Sequence, residues 1–565
     1  MPIDSIGTIF GETGFADFRF VVSDPSTKQG DYLKIWHETD GWTLAQVVAI
    51  TKSNDDVTIE SALDKRDGAG TDRVVAKAIV IGSRQNRVLR VPKTPFSPGD
   101  RVFRADPKLI AGSLGLTHGD VYLGLLEGQE LPVHLDANTL VQKHVSILAR
   151  TGSGKSYAAG VIIEELLDQR IPLLIIDPHG EYTSLKDPAV EGDFERFGVS
   201  QSGYAENITV YTPADRVLNP GADLVFRLNG VNLKAGDLAK VLNIQSGTQM
   251  GVIYEAIQKI RAEKSEYTID DIIFEVGNSS GNAKWGVLSI LESIRDAEIF
   301  SDDPTPIQGL VQPGQGSIID MKGVIPDMQS MIVARLCEEL FEARKVDRIP
   351  PMMLIIEEAH NYCPEKGFGK TASTDILRTI ASEGRKFGLG MMVVTQRPAR
   401  IDKNILSQCN TQIILKVTNP NDLQAIRKGL EGISVEAEDE IKRLPPGVAM
   451  VVSGDIERPI IVEIRARKSR HGGASVSVIE HAEPVVEPAE PAAEQAPAAR
   501  QMTESVTRPL VKLMTAIAPE KRVDSGVPAA STDAGRDASH EKTQKKKTDS
   551  LLTKFFGSST HERQQ

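Results

Sequence analysis

Residues 149–157, ARTGSGKSY, hold the densest chemistry in the chain. Gly152 and Gly154 allow backbone N–H groups to close on phosphate oxygens, Lys155 brings a charge suited to the β- and γ-phosphates, and Ser156 offers a hydroxyl to Mg2+. The apolar run Val145–Leu148 ahead of the loop reads as a strand, and YAAGVIIEELL behind it as a helix whose positive end faces the anion. Thr151, Ser153 and Tyr157 complete the nucleotide-binding stretch. One position departs from the GxxxxGK[ST] pattern: Ala149 stands where Gly is usual, a change of little cost unless the backbone there needs a positive φ. A Gly/Ser loop before an ordinary helix shares some of these letters, but strand, helix and Lys-Ser pair together point to ATP.

A second constellation follows the apolar run Leu354-Ile355-Ile356, where Glu357 and Glu358 stand side by side. Two acids at a strand exit divide the work of hydrolysis: Glu357 holds the metal through water, and Glu358 accepts a proton from the attacking water. An acid-led helix start shares the letters. Gln396 closes the next strand, where an amide senses the γ-phosphate or orients water. Arg385, with Lys386 beside it, is a candidate for a cation that reaches into a neighbouring subunit's site; Arg378 is a weaker one. Asp177 ends the strand PLLIID, and there two readings stay open: support for a metal, or a capping acid in a tight turn, with Glu181 nearby to polarise water.

The elements that must position these residues form an alternation of strand, loop and helix over residues 136–234 and 306–473, as a parallel sheet covered on both faces requires. Residues 235–305 read as amphipathic helices inserted between the two parts. Residues 1–135 carry short β-rich segments punctuated by Gly, Pro and Asp, the pattern of a small barrel. Residues 474–565 are rich in Pro, Ala, Glu, Ser and Lys and too poor in apolar residues to offset ordering entropy, so disorder is expected.

Composition bounds the partners. The chain has 565 residues, 40% of them hydrophobic, and a net charge of −12, which excludes a histone-like coat on DNA and requires any nucleic-acid contact to be local. Cys337, Cys363 and Cys409 lack the paired spacing of a disulfide framework or zinc site, and no apolar run has the length of a membrane span. MPIDSIGTIF lacks a signal-peptide pattern, so a cytoplasmic protein is expected.

In this order TGSGKS, LIIDPHGEY, LIIEEAHNY, EGRKFG, TQRP, the segment 405–422 and the closing HGG resemble the HerA-type translocases, over about residues 3 to 473. The resemblance implies a RecA-like P-loop core of the FtsK–HerA class behind an amino-terminal HAS-barrel. It also implies a homo-hexameric ring that passes double-stranded DNA, a NurA-type nuclease as partner, and work beside Mre11–Rad50 in end resection. By position it assigns Lys155 and Ser156 to phosphate and Mg2+, Glu357 and Glu358 to the acidic motif, Gln396 to the sensor and Arg385 to the trans arginine. Leu552, Phe555 and Phe556 resemble a sliding-clamp motif, although Asp549 stands where Gln is usual. Rival readings are a pump of the conjugation or secretion type, a non-translocating NTP-dependent scaffold, and a small-molecule kinase.

Overall fold

A computed structural model describes residues 5–54, 72–85, 88–116, 118–236, 238, 244, 246–429 and 435–473. The expected disordered tail, with Leu552, Phe555 and Phe556, lies outside the described residues.

Strands Gly7–Ile9, Asp17–Val22, Tyr32–His37, Gly41–Ser53, Arg73–Gln85 and Arg101–Arg104 close into an antiparallel ring, because Asp17–Val22 pairs with both Gly7–Ile9 and Arg73–Gln85. Apolar residues two apart, such as Phe18 and Phe20, Leu33 and Ile35, and Ala76 and Ala78, all point inward and are buried. Closure leaves this small barrel without the unpaired edge that an open sheet exposes.

The second sheet carries the site. Its parallel block runs, in spatial order, Ile208–Thr212, Gly316–Asp320, Leu173–Asp177, Met352–Ile356, Leu389–Thr395, Val145–Leu148 and Thr411–Ile414. These strands are almost wholly apolar because both faces are covered. Ile176, Leu354 and Ile356 pack on one side with helix Pro326–Lys345, while Ile175, Met353 and Ile355 pack on the other with helix Lys155–Asp168. Each such aliphatic side chain contributes about 1.5–3 kcal/mol on burial, which fixes the strands whose ends carry the chemistry. The order is that of a RecA-like P-loop core.

Antiparallel strands Val448–Val452, Ile460–Ile464, Val121–Leu126 and Pro132–Leu135 extend the sheet. Residues 121–135, expected with the barrel, therefore pair with the large sheet instead. Strand Val121–Leu126 is buried at nearly every position and needs cover on both faces, which the core supplies: the Tyr122 N–H donates to Glu165 on helix Lys155–Asp168 at 3.0 Å. Gly124, at φ 154°, is required there, since a Cβ would lie 1.9 Å from the Glu463 carbonyl oxygen.

Within the stretch expected to be helical, three helices, Gly247–Glu263, Ile269–Asn278 and Ala283–Asp296, bury Ile253, Ile257, Ile272, Val276, Val287 and Leu291 between them. A capping box starts the second, with the Thr268 N–H donating to Asp271 at 2.9 Å. The short parallel pair Leu228–Asn229 and Phe300–Ser301 ties the two ends of the segment together.

Candidate nucleotide-hydrolysis site

Three adjacent strands bring the predicted chemistry together. The acid-bearing strand Met352–Ile356 pairs with Leu389–Thr395, which pairs in turn with the P-loop strand Val145–Leu148, in register Ile356 to Val393 and Leu148 to Thr395. All run parallel, so their carboxyl ends open on one crevice. Gly152 and Gly154 adopt φ of 76° and 96°, and Gly154 starts helix Lys155–Asp168 without any side-chain cap, leaving first-turn N–H groups directed at the loop. Ala149 is buried, lies outside the left-handed region and donates its N–H to the Thr395 carbonyl at 3.3 Å. Alanine therefore serves where glycine is usual.

Lys155 reaches across the crevice, with Nζ in contact with Glu357 and 3.3 Å from Glu358 Oε1. The two acids sit differently. Glu357 is fully buried, and the Tyr182 hydroxyl donates to its Oε2 at 2.6 Å. Glu358 is 6% exposed and holds a left-handed backbone at φ 49° and ψ 45°, a conformation that costs about 1–3 kcal/mol for a non-glycine residue and is retained here by the strand and turn around it. Its Oε2 lies 3.3 Å from His360 Nδ1, which is itself 3.0 Å from the Thr395 hydroxyl. Burial holds the His360 imidazole below its ordinary pKa, opposed by Glu358 and reinforced by Arg400, Lys155 and Arg397. Gln396 joins the site through Oε1, which accepts the Thr151 hydroxyl and so ties the sensor strand to the P-loop.

Of the two readings open for Asp177, the geometry displays the turn cap. Its carboxylate accepts N–H bonds from His179, Gly180 and Tyr182 at 3.1, 2.8 and 2.9 Å, and burial, with Asp320 alongside, pushes its pKa up to about 6. Through that turn Asp177 sets the position of Tyr182, and Tyr182 sets Glu357. Glu181 faces the segment His471–Gly473 rather than the two acids.

Glu357 Oε1 and Glu358 Oε2 are buried and accept no hydrogen bond of good geometry. Hard carboxylate oxygens with spare lone pairs suit Mg2+, which keeps most of its ligands as water and phosphate oxygen. Among the described residues no group of three or more His, Cys, Asp or Glu side chains is arranged to hold a metal by itself, as expected for a dication that arrives with its nucleotide.

Tyr157 is engaged by the end of the core. Its hydroxyl accepts the Arg467 N–H at 2.8 Å, and its ring meets His471 edge-on at 5.5 Å. The same segment is clasped to the P-loop helix by buried charge: Glu164 accepts from Arg465 at 2.9 Å and from the Lys468 and Ser469 N–H groups at 3.0 and 2.9 Å, while Glu165 accepts from Arg465 and Lys468 at 2.7 Å.

Arg385 does not join its own chain's site. It lies on the exposed turn Gly384–Phe387 that feeds the amino end of strand Leu389–Thr395, beside Lys143 and Asn410 on a cleft of about 630 Å³, and forms no ion pair among the described residues. Arg378 is held within the chain, donating to the buried Asp402 through Nε at 2.8 Å. Sequence reasoning missed Tyr182 and His360. Each stands within a quoted motif, but the signal, a polar tip aimed at an acid on another strand or turn, exists only in three dimensions.

Residues 121–340 match the family model described as the central domain of the helicase HerA. The chain is similar to the HerA-type helicases, and it is an ATP hydrolase. It is 29% identical over 510 residues to a probable helicase of Methanocaldococcus jannaschii, covering 84% of this chain and 93% of the relative. It is 25% identical over 557 residues to the DNA double-strand break repair helicase HerA of Pyrococcus furiosus, covering 84% and 96%. Among solved structures, VirB4 of Thermoanaerobacter pseudethanolicus aligns at a TM-score of 0.46 with 14% identity, over 62% of this chain and 97% of that one.

Proposed function

We propose that the chain is an ATP-driven double-stranded DNA translocase or helicase of DNA repair, working as a homo-hexameric ring with a NurA-type nuclease in end resection. The observation that carries the reading is the joining of P-loop, acid pair and sensor in one crevice while Arg385, at the opposite edge of the same sheet, forms no ion pair among the described residues. A ring of identical subunits sets one subunit's amino-edge cation against its neighbour's crevice, so that each site is complete only on assembly.

In this reading the loop amides of residues 151–154 and Lys155 hold the triphosphate, and Ser156 with Glu357 would hold Mg2+, which supplies charge neutralisation between the phosphates. Glu358 takes the proton of the attacking water. Its neighbour His360 and its restrained backbone aim the carboxylate, and the deeper Glu357 is fixed by Tyr182. Gln396 orients the water and reports the γ-phosphate to Thr151. The relatives named for DNA double-strand break repair support the choice of DNA as the moved substrate. Mre11–Rad50 and the sliding clamp, the latter through Leu552, Phe555 and Phe556, are further proposed partners. Among the described residues no helix is long and apolar enough to cross a membrane.

The test is ATP turnover by the purified chain with and without duplex DNA and the nuclease, together with its mass in solution. Turnover that rises several-fold with duplex, in a particle of several subunits, is expected. A monomer that hydrolyses ATP at full rate, indifferent to DNA, removes the reading.

A further inference from the structure

A groove of about 730 Å³ lies beside the nucleotide crevice, between the loop that leaves the sensor strand and helix Pro420–Gly429. Arg397, Arg400, Lys403 and Lys428 line it, against only two acids, Glu365 and Asp422. Both acids are already committed to the backbone: Asp422 accepts the Ala399 N–H at 2.9 Å, and Glu365 accepts the Lys403 N–H at 3.0 Å. Arg397, Arg400 and Lys428 are exposed, and none of the three forms an ion pair among the described residues; Arg400 rests over the Phe368 ring at 5.3 Å. In a chain with a net charge of −12, three cations around one groove that form no ion pair among the described residues are a local excess of positive charge.

The groove is also wired to the site. The Arg397 N–H donates to the Thr395 hydroxyl at 3.0 Å, that hydroxyl is 3.0 Å from His360 Nδ1, and His360 adjoins Glu358. Gln396, one residue before Arg397, holds Thr151 of the P-loop. We propose that this groove binds the phosphodiester backbone of duplex DNA through Arg397, Arg400 and Lys428, and that occupancy is relayed to Glu358 through Thr395 and His360. The proposal rests on the DNA-translocase reading above and adds the contact residues and the route by which DNA speaks to hydrolysis. Guanidinium and ammonium groups rimmed by side-chain amides such as Asn421 and Gln424 suit phosphates without reading bases, as a motor that moves along any sequence requires.

The experiment uses the full chain and a labelled mixed-sequence duplex, with affinity followed by anisotropy from about 50 to about 200 mM salt. The combined variant Arg397→Gln, Arg400→Gln, Lys428→Gln is expected to bind at least about tenfold more weakly at fixed salt and to lose roughly 2–3 from the slope of log affinity against log salt, near one per phosphate contact. Binding of a fluorescent ATP analogue reports that the variant is folded. Should it not fold, Lys428→Gln alone is expected to remove roughly one from the slope. For the relay, His360→Gln is expected to keep duplex affinity while the ratio of DNA-stimulated to basal turnover collapses. A folded triple variant with wild-type affinity and slope overturns the groove, and an unchanged stimulation ratio in His360→Gln overturns the relay. A wild-type chain that binds no duplex at any salt removes the DNA reading itself and the groove with it.

Discussion

The two edges of the large sheet are made from the same strands, yet they are opposite in kind. At the carboxyl edge Lys155, Glu357, Glu358, Asp177 and Gln396 crowd together, mostly buried, one of them on a left-handed backbone. At the amino edge His144 is buried but satisfied by main-chain groups, and Arg385 and Lys386 stand exposed without ion pairs among the described residues. Charge brought together inside one subunit serves chemistry within that subunit. In the proposed ring, the cation left exposed at the far edge is the group that would complete a neighbour's site from outside.

The sharpest way to break this contrast is at the amino edge. Arg385→Ala should lower ATP turnover by about 10³, the worth of a trans arginine, while leaving binding of a fluorescent ATP analogue intact. Lys155→Ala should lower turnover by about 10²–10³ and weaken nucleotide binding as well. Mixing the two inactive variants is the more telling measurement, because some seams then pair an intact Lys155 with an intact Arg385. Recovery of turnover on mixing is the expected result; if the mixture stays as inactive as its parts, the two edges do not meet.

A smaller effect sharpens the carboxyl edge. Tyr182→Phe removes the hydroxyl that donates to buried Glu357 and leaves a carboxylate oxygen without its partner, a loss of about 1–3 kcal/mol. Turnover is expected to fall about tenfold and the Mg2+ concentration for half-maximal rate to rise, with the thermal midpoint lowered slightly. If only the midpoint moves, Tyr182 is a packing residue and Glu357 needs no guide.

How far the molecule could be read from its letters follows the same divide. The P-loop and the acid pair were legible because phosphate chemistry demands fixed residue types at contiguous spacing, and Gly152, Gly154, Lys155 and Ser156 are neighbours in the chain. The apolar runs at 173–176 and 354–356 announced strands covered on both faces, and the core has them. Tyr182 and His360 were not legible, since what each does depends on which strand lies beside it. The run VYLGLL at 121–126 announces a strand but not its partner, so sequence alone assigns it to the barrel, whereas pairing with Ile460–Ile464 carries it into the core. The groove cations were silent for a related reason. Arg400 and Lys428 are plain letters, and Arg397 one letter of a motif, until a loop and the helix about twenty residues on set all three around one hollow.

The smallest effect tests the amino edge as structure alone. His144 is buried, with Nδ1 accepting the Met391 N–H and Nε2 facing the Ala381 carbonyl, each at 3.0 Å, so the ring is pinned as one neutral tautomer. Burial holds its pKa below the ordinary histidine value, with the Ala381 bond opposing. The unfolded chain therefore binds the proton more readily than the folded one, and the sign follows: stability is unaffected above about pH 6.5, the unfolded value, and falls as pH drops below it. Protonation would also turn Nδ1 into a donor facing another donor. His144→Asn should cost about 1–2 kcal/mol at pH 7.5 and flatten the decline of thermal midpoint between about pH 7 and pH 5. Wild type and variant that lose stability in parallel as pH falls would mean that the ring takes up its proton as readily in the fold as in the unfolded chain. In that case the amino edge, like its opposite, would carry buried charge, and the contrast between the two edges would rest on Arg385 alone.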